Sequence, residues 1–475
     1  MSDEVLLEKH YIEGCPGCRL DIRKQASSRL SVKNLVSLWI VVLCNGLPIS
    51  SLYPFLYFMV RDFHVAERDE DIGYYAGYVG SALMLGRVLT SVLWGVIADR
   101  YGRKPVILIG IISVIVLNTL FGFSVNLWMA VGTRFLLGLT NGLIGPIKAY
   151  ATEVFREEHQ SVGLSVVSSA WAIGLIIGPA LGGFLSQPAD KYPNLFSKTS
   201  IFGRFPYFLP CFCISVFALG ALVPALCLPE TLHMHKETHV HDDPHLLEAP
   251  CEANHNVEND GKSSTYGKSL LRNWPLMSSI IMYCVFSLHD SAYTEIFSLW
   301  AVSPRSFGGL SLTTQDVGVV LGVTGVGIFI FQLTIYPYVE RWLGLVKCCR
   351  VAAALSIVLL SCYPSITSLD GTILTVALNA ASVAKSILFT SIITGIFILQ
   401  NRAVEQHQRG AANGIAMTSM SIFKAIGPAG GGAIFSMGQK RQHAAFLPGN
   451  QLVFFALNLV QLIGLVLTFK PFLAY

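Results

Sequence analysis

Twelve runs of roughly twenty or more apolar residues constrain this chain most, because that is the length a helix needs to cross the hydrocarbon core of a bilayer. They fall at residues 35–60, 72–98, 105–124, 127–150, 162–185 and 205–228, then at 275–300, 317–338, 345–364, 372–400, 411–437 and 451–469. They are numbered here as spans 1 to 12. With 53% hydrophobic and only 13% charged residues among 475, the chain has more apolar surface than one water-soluble core can bury. The expected class is an all-α integral membrane protein, with a bilayer as its solvent.

Four segments follow: residues 1–34, an N-terminal six-helix half at 35–228, a polar linker at 229–274 and a second half at 275–475. The first 34 residues are polar and lack an apolar stretch with a small-residue cleavage site, so span 1 itself is expected to start insertion. Lys9, Arg19, Arg23, Lys24, Arg29 and Lys33 precede it. Lys and Arg also outnumber those of the opposite loops on the side that both termini share, which predicts cytosolic termini. The net charge of +4 is spread over short loops without interleaved aromatics, so no nucleic-acid partner is expected. Cysteines within spans, such as Cys44, Cys211 and Cys284, read as small hydrophobes.

The halves repeat one another. Asp71, Gly73, Gly77 and Gly80 at the start of span 2 recur at the same spacing as Asp316, Gly318, Gly322 and Gly325 in span 8. Gly178, Pro179, Gly182 and Gly183 of span 5 recur as Gly427, Pro428, Gly431 and Gly432 of span 11. Such duplication is a construction signature of secondary transporters.

Between spans 2 and 3 the chain reads Gly-Val-Ile-Ala-Asp-Arg-Tyr-Gly-Arg-Lys from Gly95 to Lys104. This resembles the signature loop of the major facilitator superfamily, and implies that superfamily's fold of two six-helix repeats. Gly95 permits a close helix approach, Gly102 a tight turn, and Asp99 a pairing with Arg103 or a facing helix N-terminus. By the resemblance, Gly95, Asp99, Arg100, Gly102, Arg103 and Lys104 form a latch that stabilises the outward-facing state. The loop after span 8, Glu340 to Gly344, is a degenerate copy without the second basic pair. Gly174, Gly178, Pro179, Gly182 and Gly183, with Gly427, Pro428 and Gly431, resemble the antiporter motif of drug:proton exchangers. Read as packing alone, they form a small-residue seam.

Ionisable residues inside spans are candidates for function. Arg134, in Thr-Arg-Phe-Leu-Leu-Gly, resembles the superfamily's buried arginine near proton-coupling chemistry. Span 7 carries His289, Asp290 and Glu295, and carboxylates in a partly desolvated cavity can exchange protons during a cycle. A second reading has Asp290 and Glu295 simply solvated near the outer end of the helix. Lys385, Lys148 and Lys424 are potential anion-binding or charge-pairing groups, although Lys148, Lys424 and Arg87 can equally snorkel to an interface. Span 1 has no acid, unlike several proton-coupled relatives.

The linker holds His233, His235, His239, His241, His245 and His255, whose imidazoles suit weak zinc binding, although no defined ligand spacing appears. Cys15 and Cys18, in Gly-Cys-Pro-Gly-Cys, supply half of a tetrahedral site. That cysteine motif, the His-bearing linker and His-Asp-Ser-Ala-Tyr-Thr-Glu-Ile-Phe-Ser-Leu-Trp at 289–300 resemble the plant zinc-induced facilitator-like transporters. The resemblance implies proton-coupled export of a metal chelator such as nicotianamine or a phytosiderophore from the cytosol, into a vacuole or across the plasma membrane. Auxin or potassium carriage and a non-transporting zinc sensor are the alternatives. No enzyme and no cofactor is expected, since no arrangement of nucleophile, base and oxyanion hole emerges.

Overall fold

The computed structural model describes residues 14–26, 31–156, 159–232, 270–404 and 408–473. His233, His235, His239, His241 and His245 lie outside the described residues, with most of the linker. Every regular element among the described residues is helical. Ten helical segments are long and apolar enough to cross a membrane. Trp274–Val302 and Arg409–Gln439 are also long enough to cross but carry polar side chains, among them His289, Asp290, Glu295 and Lys424. Together they make the twelve spans.

Three spans expected to be continuous are interrupted. Span 1 runs Val32–Ser50 and resumes at Leu56–Asp62, with Pro54, which has no amide to donate, in the gap. Span 4 is Leu127–Thr140 followed by Ile144–Val154. Pro146 sits four residues beyond Gly142, so it can neither bond that carbonyl nor avoid crowding it, and the helix breaks at 141–143. Span 8 is Thr314–Thr334, then Tyr336–Leu343 with Pro337 in its first turn. The remaining spans are Ile72–Tyr101 (span 2), Arg103–Ser113 continuing to Gly122 (span 3), Gln160–Leu185 (span 5) and Phe208–Cys227 (span 6). In the second half they are Trp274–Val302 (span 7), Leu345–Ile366 (span 9), Gly371–Arg402 (span 10), Arg409–Gln439 (span 11) and Asn450–Leu467 (span 12).

Packing follows the repeat. Span 1 packs on span 5 as span 7 packs on span 11, and the halves meet where span 2 touches span 11 and span 5 touches span 8. The glycine seam serves both kinds of contact. Gly174, Gly178 and Gly182 face Gly46, Ser50 and Ser51 of span 1, whereas the adjacent Gly183 faces Thr314 and Gly318 of span 8. Likewise Gly427 and Gly431 face Ser291 and Ala292 of span 7, and Gly432 faces Gly73 and Gly77 of span 2. A Cβ on Gly77 would lie 2.7 Å from the Pro428 carbonyl oxygen, and one on Gly318 would lie 2.8 Å from that of Pro179. These backbones approach closely because no side chain separates them.

The halves are thus joined at the ends of spans 2, 5, 8 and 11 remote from the termini. At the opposite end Gly95 and Gly414 meet nothing within 4 Å, and Ser165 and Ser168 of span 5 are exposed. Exposed polar groups there suit a water-filled opening rather than lipid. The molecule is closed on one face and open on the face that carries both termini.

Candidate functional site

Span 7 places its ionisable residues at the junction of the halves. Asp290 pairs with Lys385 of span 10 at 3.0 Å, and the Lys385 ammonium stands 3.6 Å from the centre of the Tyr293 ring. Lys385 is 1% exposed, and the Tyr293 hydroxyl shares a 2.7 Å hydrogen bond with that of Tyr363. Glu295 points the other way and is fully buried. Neither of its carboxyl oxygens has a hydrogen-bond partner, and the group rests against Gly80 of span 2. The solvated reading therefore fails for Glu295, which the inter-half contact covers. His289 is also buried, with both ring nitrogens unpartnered. An ionised carboxylate at residue 295 would carry a charge with no hydrogen-bond partner in a dry contact, offset only in part by the Arg134 guanidinium.

Arg134 of span 4 is buried and donates from Nη1 to the Pro48 carbonyl at 2.7 Å, with its guanidinium 5.4 Å from the Phe121 ring. It makes no ion pair among the described residues, and Glu295 is close enough to interact with it electrostatically. Arg87 does not snorkel. It lies in mid-span, 8% exposed, and donates to Asn45 Oδ1 at 2.8 Å, while Asn45 Nδ2 donates to Asn141 Oδ1 at 2.9 Å. The break in span 4 brings Asn141 into this network. Asn45 and Asn141 were not singled out in the sequence, although a polar amide inside an apolar run and the Gly142–Pro146 spacing both signal them. Lys148 and Lys424 are half-buried.

Around the expected latch loop the structure places two partners that the sequence did not announce, Glu153 and Glu230. Asp99 pairs with Arg103 at 2.5 Å and Arg103 with Glu153 of span 4 at 3.0 Å. Glu230, at the start of the linker, accepts from the amides of Arg103 and Lys104 at 3.0 and 3.1 Å and so caps span 3. Gly102 has φ +109°, and a Cβ there would lie 2.5 Å from Glu230 Oε2, so both conformation and space demand glycine. Lys104 Nζ donates to the Leu226 carbonyl at 2.7 Å. Arg100 is exposed and lies beside Tyr101, and Gly95 has no close neighbour. A helix at Pro16–Ala26, with Cys15 and Cys18 buried at its foot, leans on this assembly through Lys24 and the Glu153 carbonyl. Among the described residues no group of three or more His, Cys, Asp and Glu is placed to hold a metal.

On the closed face the repeat produces two matching lysines. Lys440, beyond span 11, pairs with Asp71 at the head of span 2. Lys191, beyond span 5, reaches Thr314 at the head of span 8, near Asp316, and the Gly183 carbonyl of span 5. Burial pushes the Lys191 ammonium down to about 8, against the pull of Asp316. The hydrogen bond to Asp71 raises that of Lys440.

Residues 38–428 match the Major Facilitator Superfamily. The chain belongs to that superfamily. It is 61% identical to Protein ZINC INDUCED FACILITATOR-LIKE 1 of Arabidopsis thaliana, over 99% of this chain and 98% of that protein. It is 58% identical to Protein ZINC INDUCED FACILITATOR 1 of the same plant, with the same coverage. The crystal structure of a D-xylose-proton symporter superposes with a TM-score of 0.68 at 11% identity, covering 92% of this chain and 97% of that one. The protein is therefore a multi-pass membrane transporter of the zinc induced facilitator group, not an enzyme, with the twelve-helix major facilitator fold.

Proposed function

We propose that this transporter is a proton-coupled antiporter that exports a small organic solute, a metal chelator such as nicotianamine or a phytosiderophore, from the cytosol. The observation that carries this reading is Glu295, buried without a hydrogen-bond partner between the two halves. A proton taken up while the contact is open to water neutralises the group so that the halves can close over it, and release of that proton to the cytosolic side before solute binds completes the exchange. Asp290, held by Lys385, is the second carrier: the carboxylate takes a proton only in the solute-free protein and gives it up before solute binds, so proton and solute occupy the protein in alternation. His289 and Arg134 adjust the local charge. The glycine seam lets the closed contact form by backbone approach, and the loop at Gly95 to Lys104 latches the opposite state.

The distribution of Lys and Arg supports cytosolic termini, so the open face in this structure is the cytosolic one. The solute would leave toward the vacuolar lumen or the cell exterior, influencing zinc and iron homeostasis. The full-length likeness to zinc induced facilitator proteins supports the link to metals. Nicotianamine uptake into proteoliposomes under an imposed pH gradient tests the proposal. Gradient-driven uptake that falls at least tenfold in Asp290→Asn or Glu295→Gln supports it. Uptake indifferent to the gradient contradicts it and favours a facilitative carrier.

A further inference from the structure

Arg87 is a buried cation in the middle of the membrane with a single hydrogen bond and no carboxylate partner among the described residues. Such a charge is expensive unless something compensates it. Arg134 lies close enough to add repulsion. Two buried guanidiniums in one half, with no ion pair to either among the described residues, leave the middle of that half short of an anion.

The backbone beside Arg87 has the same polarity. Span 4 stops at Thr140 and restarts at Ile144, and the amides of Gly142 and Leu143 have no hydrogen-bond partner among the described residues. They open the eleven-residue helix Ile144–Val154, whose N-terminus carries partial positive charge. The freed Leu139 carbonyl is already taken by Thr90 Oγ1 at 2.9 Å and Trp94 Nε1 at 2.7 Å, so donors are what remain. Arg87 reaches the break through Asn45 and Asn141. Its backbone also lies alongside span 4, because a Cβ on Gly138 would be 3.1 Å from the Arg87 nitrogen. In the first turn of the second segment Gly145 is exposed, and a Cβ there would meet nothing within 4 Å. Trp94 fills the space beside Gly142, where a Cβ would collide with its Cδ1, so the room for a ligand lies on the Gly145 side of the break.

We propose that the broken middle of span 4, together with Arg87 and Asn45, is a carboxylate-binding subsite for the transported solute. A guanidinium and two backbone amides supply charge-assisted donors that match the two oxygens of a carboxylate. The interrupted helix is the form that membrane transporters use to present such donors. The subsite lies in the half opposite to Asp290 and Glu295, so a solute bearing both carboxylates and amines spans the two halves with its anionic end on the first. This deepens, and rests on, the reading of the protein as a transporter of a small organic solute.

The test is calorimetric titration of the purified full-length protein with nicotianamine, its trimethyl ester, citrate and indole-3-acetate. The wild type is expected to bind at least one free carboxylate, and Arg87→Ala to bind it at least tenfold more weakly, with Arg87→Lys in between. The ester is expected to show no dependence on Arg87. Gly145→Leu projects into open space, so it leaves folding intact and is expected to block the same ligand; it decides the matter if Arg87→Ala does not fold. Equal binding by wild type and Gly145→Leu overturns the subsite, and so does failure of every carboxylate to bind the wild type. Arg87-dependent binding of citrate or indole-3-acetate without nicotianamine leaves the subsite standing and refutes the chelator assignment instead.

Discussion

The carboxyl group of Glu295 in span 7 rests on the backbone of Gly80 in span 2, so that a Cβ at residue 80 would lie 2.7 Å from Oε2. The one fully buried acid of span 7 is thereby covered only while the halves are closed. Gly80→Val is expected to hold the halves apart on that face and to slow transport more than tenfold without unfolding either half. Glu295→Gln keeps the shape, so it is expected to preserve closure and abolish pH dependence. Transport rates and melting temperatures of the two variants separate these effects.

The pair of Asp290 and Lys385 makes a second prediction. Asp290→Asn strands a buried ammonium and is expected to destabilise the protein by about 3–5 kcal/mol, as when one partner of a buried ion pair is removed. Asp290→Asn combined with Lys385→Met removes both charges and is expected to recover most of that loss. Thermal unfolding in detergent checks the pattern, and additive losses in the double variant would contradict it.

At the latch, Glu230→Gln keeps the hydrogen bonds to the amides of span 3 but loses the negative charge at its N-terminus. A loss of about 0.3–1 kcal/mol is expected. Gly102→Ala meets both positive φ and the Glu230 carboxylate, so it is expected to disturb the turn more severely. Removing Glu230 in the Gly102→Ala background should relieve only the steric part.

On the closed face, Lys191 is held down at about 8 by burial, and its value returns toward the ordinary 10.5 when the face opens to water. The charged form therefore opposes closure below pH 8, and the opposition fades as pH rises from about 8 toward 10.5. Lys440 is shifted upward by Asp71, so its favourable pairing persists through this window. Spin labels at the exposed Leu195 and Phe446, after replacement of exposed Cys227 and Cys362, are expected to report more of the short distance at pH 9.5 than at 7.5. Lys191→Met should remove that response.

The spans, their order and the repeat were legible because hydropathy and glycine spacing are local properties. So was the set of charges on span 7. The direction in which each points was not, since His289, Asp290 and Glu295 share a helix but face different neighbours. Asp290 finds Lys385 from a span 95 residues away, and Glu295 finds Gly80 in the other half. Separation in sequence likewise hid Glu153 and Glu230, 50 and 127 residues from Arg103, from the latch. The breaks in spans 1, 4 and 8 were obscured because apolar content runs straight through them, while the prolines act on the backbone alone. Arg87, read as free to reach an interface, is tied in mid-membrane by Asn45, a pairing across two spans.

The central claim is that protons move against the solute, and counting them is the most direct test. Proteoliposomes with a trapped pH indicator and no imposed gradient are given nicotianamine outside, and internal pH is followed. The account predicts that the lumen turns alkaline as solute enters and protons leave, with the signal lost in Glu295→Gln. Solute entry with no change in internal pH, or with acidification, would contradict it.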